Sequence, residues 1–231
     1  MTARGFFVTG TDTGVGKTCV SLGLMRALQA QGYLVTGMKP VASGCRTVAG
    51  RLENDDALAL QRCSSLPVAY EQLNPYAFES AVAPHLAARS QAVSIQVPVI
   101  GKVFRALSEN ADLVVVEGVG GWLVPINAEQ TMQDVAVDLG LPVVLVVAVR
   151  LGCLNHALLT AAAIHRSGLR LAGWVANRVD PQCERQDGLV ADLGERLPAA
   201  LLVDIAYAQD AGVVPEQVSR MDLTPLLTGP S

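Results

Sequence analysis

Basic runs, paired cysteines, long apolar stretches and histidines are all scarce in this 231-residue chain, and each scarcity removes a class of function. The net charge is −4, and no cluster of Lys and Arg occurs. Nucleic-acid affinity comes largely from such clusters, so no nucleic-acid partner is expected. The longest apolar stretch, "LPVVLVVAV", is far shorter than the roughly 20 residues that span a bilayer, and the N-terminus lacks the charged-then-apolar pattern of a secretory leader. A cytoplasmic protein with no membrane partner is expected. Cys19, Cys45, Cys63, Cys153 and Cys183 are odd in number and scattered, with neither a Cys-x-x-Cys pair nor zinc spacing, which points to buried reduced thiols. Only His85, His156 and His165 are present, and no nucleophile-elbow motif exists for one of them to serve, so they are assigned to structure or surface. No repeat or low-complexity segment is found.

What the chain does have is 51% apolar residues, enough for a substantial core in a single domain over 1–231. Short Val/Leu-rich runs alternate with longer Ala/Leu-rich stretches: "GFFVTG", "YLVTGMK", "DLVVVEG", "LPVVLVVAV", "LAGWVAN" and "ALLVDIA". That alternation predicts an α/β fold with a mainly parallel central sheet and helices on both faces. Helices are predicted over "TCVSLGLMRALQAQG", which ends at Gly32, and near 55–63, 98–109, 154–167 and 184–196. Residues 64–97 carry Pro67, Pro75 and Pro84 with weak periodicity and read as an insertion between two sheet strands, either a surface excursion or a segment that covers a site or meets a partner.

Ligands of open α/β sheets bind beyond the carboxyl ends of the strands, so the residues following each strand matter most. After the first comes "GTDTGVGKT", residues 10–18. Gly14, Gly16, Lys17 and Thr18 lead into a helix as in a phosphate-binding loop, where backbone N–H groups and the ammonium surround phosphate and the hydroxyl can bind Mg²⁺. Gly10 lies one residue early for the common spacing, with Thr11 where that glycine belongs. Glu117 ends the third run beside a glycine-rich turn and suits the acidic partner of a phosphate-bound magnesium. Lys39 follows the second run, with Ser43 close behind, and would add a second cation to the crevice that holds Lys17. Each further candidate has an ordinary alternative. Lys39 taken alone suits a surface lysine, Asp56 a helix N-cap, Asn177 either a base-edge reader or a strand-ending turn, and Asn155 either an anion site at a helix start or a simple cap.

Taken in order, "GTDTGVGKT", "KPVASG", "NDDALALQ", "NPYAF", "VEGVGGW", "LGCLNHA" and "LAGWVAN" closely resemble the dethiobiotin synthetases, over nearly the whole chain. The early glycine is how that family writes its loop. The resemblance implies a P-loop NTPase-like fold and an ATP-dependent cyclo-ligase of biotin biosynthesis, which joins 7,8-diaminopelargonic acid and CO₂ into a cyclic urea with release of ADP and phosphate. It implies that Gly14, Val15, Gly16, Lys17, Thr18 and Cys19 hold the phosphates and that Thr18, Asp56 and Glu117 bind Mg²⁺. It implies that Lys39 and Lys17 are catalytic and that Thr13 and Ser43 contact substrate. The rest of the nucleotide would meet Gly118, Val119, Gly120, Asn177 and Arg178, with Ala206, Tyr207 and Ala208 after the sixth strand. In a homodimer, Gly152, Cys153 and Asn155 of the other subunit would hold the substrate carboxylate. At Ala206 and Tyr207 some relatives have a Pro-Trp pair, so base contacts there are expected to differ. A dimeric switch ATPase is the rival reading, although the loop lacks an extra lysine and the tail "MDLTPLLTGPS" is neither basic nor convincingly helical. The synthetase part of a glutamine-dependent amidase ranks third, for want of a glutaminase domain.

Overall fold

The computed structural model describes residues 5–208 and 217–227. Its centre is a six-stranded sheet with spatial order β10-β9-β8-β1-β7-β2, built from β1 (Gly5–Gly10), β2 (Val35–Met38), β7 (Leu113–Glu117), β8 (Val143–Ala148), β9 (Leu171–Asn177) and β10 (Leu201–Ile205). Every neighbouring pair in it is parallel. These six strands are the six apolar runs picked out in the sequence. β1, β2, β7 and β8 are buried along their whole length, as strands covered on both faces must be.

Alternate side chains along a strand point to opposite faces, and the core divides accordingly. Phe6, Val8, Val115, Val144 and Val146 pack with α1 (Lys17–Ala30), α2 (Asp55–Cys63) and α3 (Tyr70–Leu73) on one face. Phe7, Val114, Val116 and Val143 meet α4 (Pro84–Ser90), α5 (Val97–Ser108) and α6 (Met132–Leu139) on the other. That face continues as Leu145, Val147 and Trp174 against α7 (Cys153–Arg166) and α8 (Gln186–Arg196). A last short helix, α9 (Thr224–Leu227), lies in the tail, and residues 228–231 are outside the described residues.

Several elements were not expected from the sequence. α6 is opened by a capping box between Thr131 and Asp134 and closed by Gly140 in a left-handed conformation, so the Thr-x-x-Asp spacing was its available signal. The insertion at 64–97 holds α3, β6 (Tyr76–Phe78) and α4, and β6 pairs in parallel with β3 (Val41–Ser43). An antiparallel hairpin, β4 (Arg46–Val48) with β5 (Arg51–Glu53), precedes α2. The cysteines depart from expectation too: all five are free thiols, but only Cys45 and Cys153 are buried.

Since β1 lies between β7 and β8, the sheet order reverses beside it and a crevice opens where the loops after these three strands meet. α2 reaches this crevice because it lies tight against β2. A Cβ added at Gly37 would come within 2.8 Å of Leu60 Cβ and 3.3 Å of its carbonyl oxygen. Gly37→Ala should therefore push α2 off the sheet and destabilise the protein by about 1–3 kcal/mol, the cost of overpacking a core. Urea unfolding measures the loss, and a stability equal to wild type would show that the helix contact is not tight.

Candidate active site

The phosphate loop is shaped by what folds back over its first glycine. The N–H of Thr11 still bonds to Val146 O at 3.0 Å, so β1 extends to Gly10 before the chain turns. A Cβ on Gly10 would lie 2.5 Å from Val15 Cγ2 and 3.3 Å from Lys17 Cγ, which is why the extra loop residue comes with a glycine at this point. Val15 is buried in the core beneath the loop, and Gly16, with left-handed φ of 93°, turns the chain into α1. Lys17 is buried, and its ammonium donates to Asp12 O at 2.9 Å. Burial and the nearby charge of Lys39 lower its pKa to about 8, against the partial opposition of Glu117, Asp56 and Asp12.

Lys39, Asp56, Glu117 and Thr18 come together from four different elements. β2 ends at Met38, and the next residue, Lys39, is 3% exposed, which overturns the surface-lysine alternative. Its Nζ donates to Asp56 Oδ2 at 2.9 Å, to Glu117 Oε1, and more weakly to Gly118 O at 3.4 Å. Burial pulls the Lys39 pKa down, but Glu117 and Asp56 outweigh it and hold the ammonium above its ordinary value. Asp56 is likewise held below the usual carboxylate range: burial opposes this, and the charge and hydrogen bond of Lys39 prevail, aided by Thr18. The capping alternative for Asp56 also fails, because the N-cap of α2 is Asn54, whose side chain accepts from Asp56 N and Ala57 N.

Glu117 is fully buried. Its Oε1 accepts from Thr18 Oγ1 at 3.0 Å, while its Oε2 has no hydrogen-bond partner. A carboxylate oxygen sealed in this way calls for a cation. Thr18, Asp56 and Glu117 are hard oxygen donors, too few for a dedicated all-protein cage, and among the described residues no group of three His, Cys, Asp or Glu side chains forms one. Such a set fits Mg²⁺, which keeps waters and takes substrate phosphates as further ligands.

The glycine-rich turn after Glu117 leans on the loop, since a Cβ on Gly121 would be 3.6 Å from Gly10 O. Trp122 anchors the turn, edge-on to Phe7 with ring centroids 6.1 Å apart and with its Nε1 bonded to Gln133. Val119 and Gly120 are half-buried at the crevice, and Thr13 is exposed at the loop tip. Ser43, at the end of β3, is half-buried. Asn177, the last residue of β9, donates its side-chain N–H to Val15 O at 2.8 Å, so it braces the phosphate loop and leaves its side-chain oxygen for another donor. Arg178 forms ion pairs with Asp204 at 2.7 Å and Asp187 at 2.6 Å, which hold its pKa above the ordinary arginine value. Ala206 and Tyr207 are exposed and Ala208 half-buried as the chain leaves β10; residues 209–216 lie outside the described residues.

Gly152 is the N-cap of α7 and supplies no side chain, so Asn155, exposed at the third helical position, does not cap it. Cys153 is buried beside it. Within one chain, among the described residues, no hydrogen bond joins these three to Lys17 or Lys39. The sequence reading missed Asp12 and Arg150, whose ion pair of 2.7 Å ties the loop to the segment preceding α7. It also missed Asn54, Tyr70 and Asn74, which lie behind Lys39; "NPYAF" held the available signal, without a role attached to its asparagine.

A parallel sheet with a phosphate loop between β1 and α1 defines a P-loop NTPase-like protein. Solved structures agree on the fold: the MinD cell division protein of Aquifex aeolicus aligns with TM-score 0.57 at 16% identity, covering 94% of this chain and 87% of that one. The signal recognition particle receptor FtsY of Elizabethkingia anophelis aligns with TM-score 0.52 at 16% identity, covering 94% and 66%. A family model described as an AAA domain matches residues 4–220. Among curated proteins, the ATP-dependent dethiobiotin synthetase BioD of Pseudomonas paraeruginosa is 52% identical over 226 residues, covering 97% of this chain and 98% of that protein. Its counterpart in Cellvibrio japonicus is 46% identical over 232 residues, covering 98% and 99%. The chain belongs to the dethiobiotin synthetase family.

The lowered pKa of Lys17 has a measurable sign. Folding depresses it, so the unfolded chain holds more protons than the folded one between about pH 8 and the ordinary lysine range, and this group adds stability as pH rises through that window. Phosphate oxygens beside the ammonium would reverse the depression. ATP binding near pH 8 should therefore take up protons and weaken as pH rises further, as read by calorimetry in buffers of different ionisation enthalpy. Lys17→Arg, whose charge is permanent, should lose that uptake if it binds ATP; unchanged uptake would assign the proton to another group.

Proposed function

We propose that this protein carries out the ATP-dependent ring closure of 7,8-diaminopelargonic acid with CO₂ to dethiobiotin, as one unit over residues 1–231, in the cytoplasm and as a homodimer. The observation that carries the assignment of roles is the buried Lys39 ammonium set between Asp56 and Glu117, beside the phosphate loop and Lys17. A nucleotide alone does not need a second buried lysine. A carbamate facing a triphosphate does, because two anions must be brought together and charge stabilised during transfer.

In the reaction, one amine of the substrate adds to CO₂ and loses a proton to give a carbamate. A carbamate oxygen attacks the γ-phosphorus, forming the carbamic–phosphoric anhydride and releasing ADP. The second amine then attacks the carbamate carbon, and phosphate leaves as the cyclic urea closes. Gly14, Val15, Gly16, Thr18 and Cys19 offer the start of α1 to the phosphates, with Lys17 near the transferring group. Thr18, Asp56 and Glu117 would hold Mg²⁺, which supplies charge neutralisation across the phosphates. Lys39 faces the carbamate, and Thr13 and Ser43 contact the diamine. Gly118, Val119, Gly120, Asn177 and Arg178, with Ala206, Tyr207 and Ala208, surround the rest of the nucleotide. Gly152, Cys153 and Asn155 receive the remote carboxylate of the substrate bound to the other subunit, which agrees with the exposure of Asn155 and with the want of a hydrogen bond between it and the lysines of its own chain among the described residues. The switch-ATPase reading is set aside: its support is a fold likeness at 16% identity, against relatives near 50% over almost the whole chain.

Mass spectrometry of wild type with diamine, bicarbonate, Mg²⁺ and ATP should show one cyclic urea per phosphate released. ATP hydrolysis that ignores the diamine would sink the assignment. Lys39→Ala should lower kcat/KM by about 2–4 kcal/mol, the scale of one lost transition-state charge stabiliser, while nucleotide binding remains measurable. It should also lower the Tm, since it strands two carboxylates, so the rates belong at a temperature where circular dichroism shows the variant folded. Normal turnover would remove Lys39 from the chemistry.

The shared site has its own test. Lys39→Ala and Asn155→Ala chains, unfolded and refolded together, should yield heterodimers with one doubly damaged site and one intact site. Activity at low diamine should then exceed that of either variant refolded alone. No gain, in a sample shown by native mass spectrometry to contain heterodimer, would place Asn155 in the service of its own chain.

A further inference from the structure

Once past Met38 the chain leaves the central sheet, and the backbone of Lys39 needs other partners. It finds them in the insertion. Lys39 N donates to Leu73 O at 2.9 Å, and Lys39 O accepts from the side-chain amide of Asn74 at 2.6 Å. The same amide nitrogen lies 3.3 Å from Tyr76 O, so two carbonyls fix the orientation of Asn74 and direct its Oδ1 the other way. That oxygen accepts from the hydroxyl of Tyr70 at 3.0 Å. The hydroxyl in turn accepts from the backbone N–H of Asn54 at 2.8 Å, and Asn54 caps α2 through Asp56 N and Ala57 N. Asp56 closes the ring by accepting from Lys39 Nζ.

The result is a closed circuit of hydrogen bonds: Lys39 backbone, Asn74, Tyr70, Asn54, Asp56 and back to the Lys39 ammonium. Asn74, Tyr70 and Lys39 are each no more than 4% exposed, so water does not readily replace a lost member. Both ends of the Lys39–Asp56 ion pair are fixed by one connection that neither residue provides. We propose that Asn74 and Tyr70 are positioning residues for the reaction, holding the Lys39 ammonium and the Asp56 carboxylate at their working separation without touching substrate. This rests on the role given to Lys39 above and adds two residues to it.

Two variants break the circuit at different points. Tyr70→Phe removes one oxygen while keeping the ring over which the Arg51 guanidinium lies at 4.7 Å. Asn74→Asp keeps the acceptor for Tyr70 but turns the donor facing two carbonyls into an acceptor. The control is Val190→Ala, a core truncation in α8 within a cluster separate from the one that holds Tyr70. The first readout needs no turnover: the ¹H–¹⁵N signal of the Lys39 ammonium in the free protein, assigned by its loss in Lys39→Met. The second is kcat at saturating diamine beside the dissociation constant for ATP.

Tyr70→Phe and Asn74→Asp should each shift or broaden the ammonium signal. They should lower kcat about tenfold, a modest share of what misplacing a reacting group can cost, with ATP affinity changed less than about twofold. Val190→Ala should lower the Tm and leave both readouts alone. In a Lys39→Met background, Tyr70→Phe should lower the remaining rate by much less than tenfold, because the separation it sets has lost one of its two ends. An unmoved ammonium signal and full kcat in both variants would make the circuit a structural brace only and overturn the proposal. Should Asn74→Asp fail to fold, Tyr70→Phe alone decides between these outcomes. Failure of wild type to form the cyclic urea would instead overturn the reaction assigned above, and the ammonium signal would still decide the circuit.

Discussion

A lysine ammonium is kept inside a protein only where other groups answer its charge, and the active-site end of this fold is arranged around meeting that condition for Lys39. Stripping a charge of water costs several kcal/mol even after relaxation, so one misplaced partner would leave a deficit comparable to a large part of a domain's whole stability. Glu117 answers from the end of β7 and Asp56 from the start of α2. Their positions follow from the parallel register that brings Met38 opposite Val116 and from the close seat of α2 on β2. The core is what holds the carboxylates still.

The phosphate loop obeys a different constraint. Its ammonium, Lys17, is bonded to a carbonyl of the same loop, and burial takes its pKa down to about 8. The loop's shape is set from outside by Asn177, which reaches from β9 to the carbonyl of Val15, and by the Asp12–Arg150 pair at its tip. A side chain at Gly16 would displace the Asn177 amide, since its Cβ would lie 2.3 Å from that nitrogen. Position 177 therefore serves the loop whatever else it touches.

The sheet was legible because strands buried on both faces, as β1, β2, β7 and β8 are, must be written as apolar runs, and the loop because its backbone demands glycine at set places. Lys17, Thr18 and Glu117 follow from their places at strand ends. Two assignments were ambiguous in sequence for a physical reason. Asp56 could equally have capped a helix, and only the structure shows Asn54 in that position; Lys39 could equally have faced water, and only the structure shows its ammonium closed in by Asp56 and Glu117 and its backbone held by Leu73 and Asn74. The circuit through Asn74 was legible no further than the motif "NPYAF", because a side-chain amide bonded to main-chain carbonyls leaves no periodicity behind. The same holds for β3 and β6, each three residues long.

That insertion changes how the two cations relate. Had 64–97 been a surface excursion, Lys39 would hang from the end of β2 with both its carbonyl and its N–H lacking partners. Instead α3, Asn74 and β6 form a second edge that takes over where the chain leaves the main sheet after Met38. Lys17 belongs to the loop and α1, and Lys39 belongs to the insertion and α2. The first cation follows its loop and the second is anchored to a separate scaffold, so the separation of the two ammonium groups depends on how the insertion packs on the sheet.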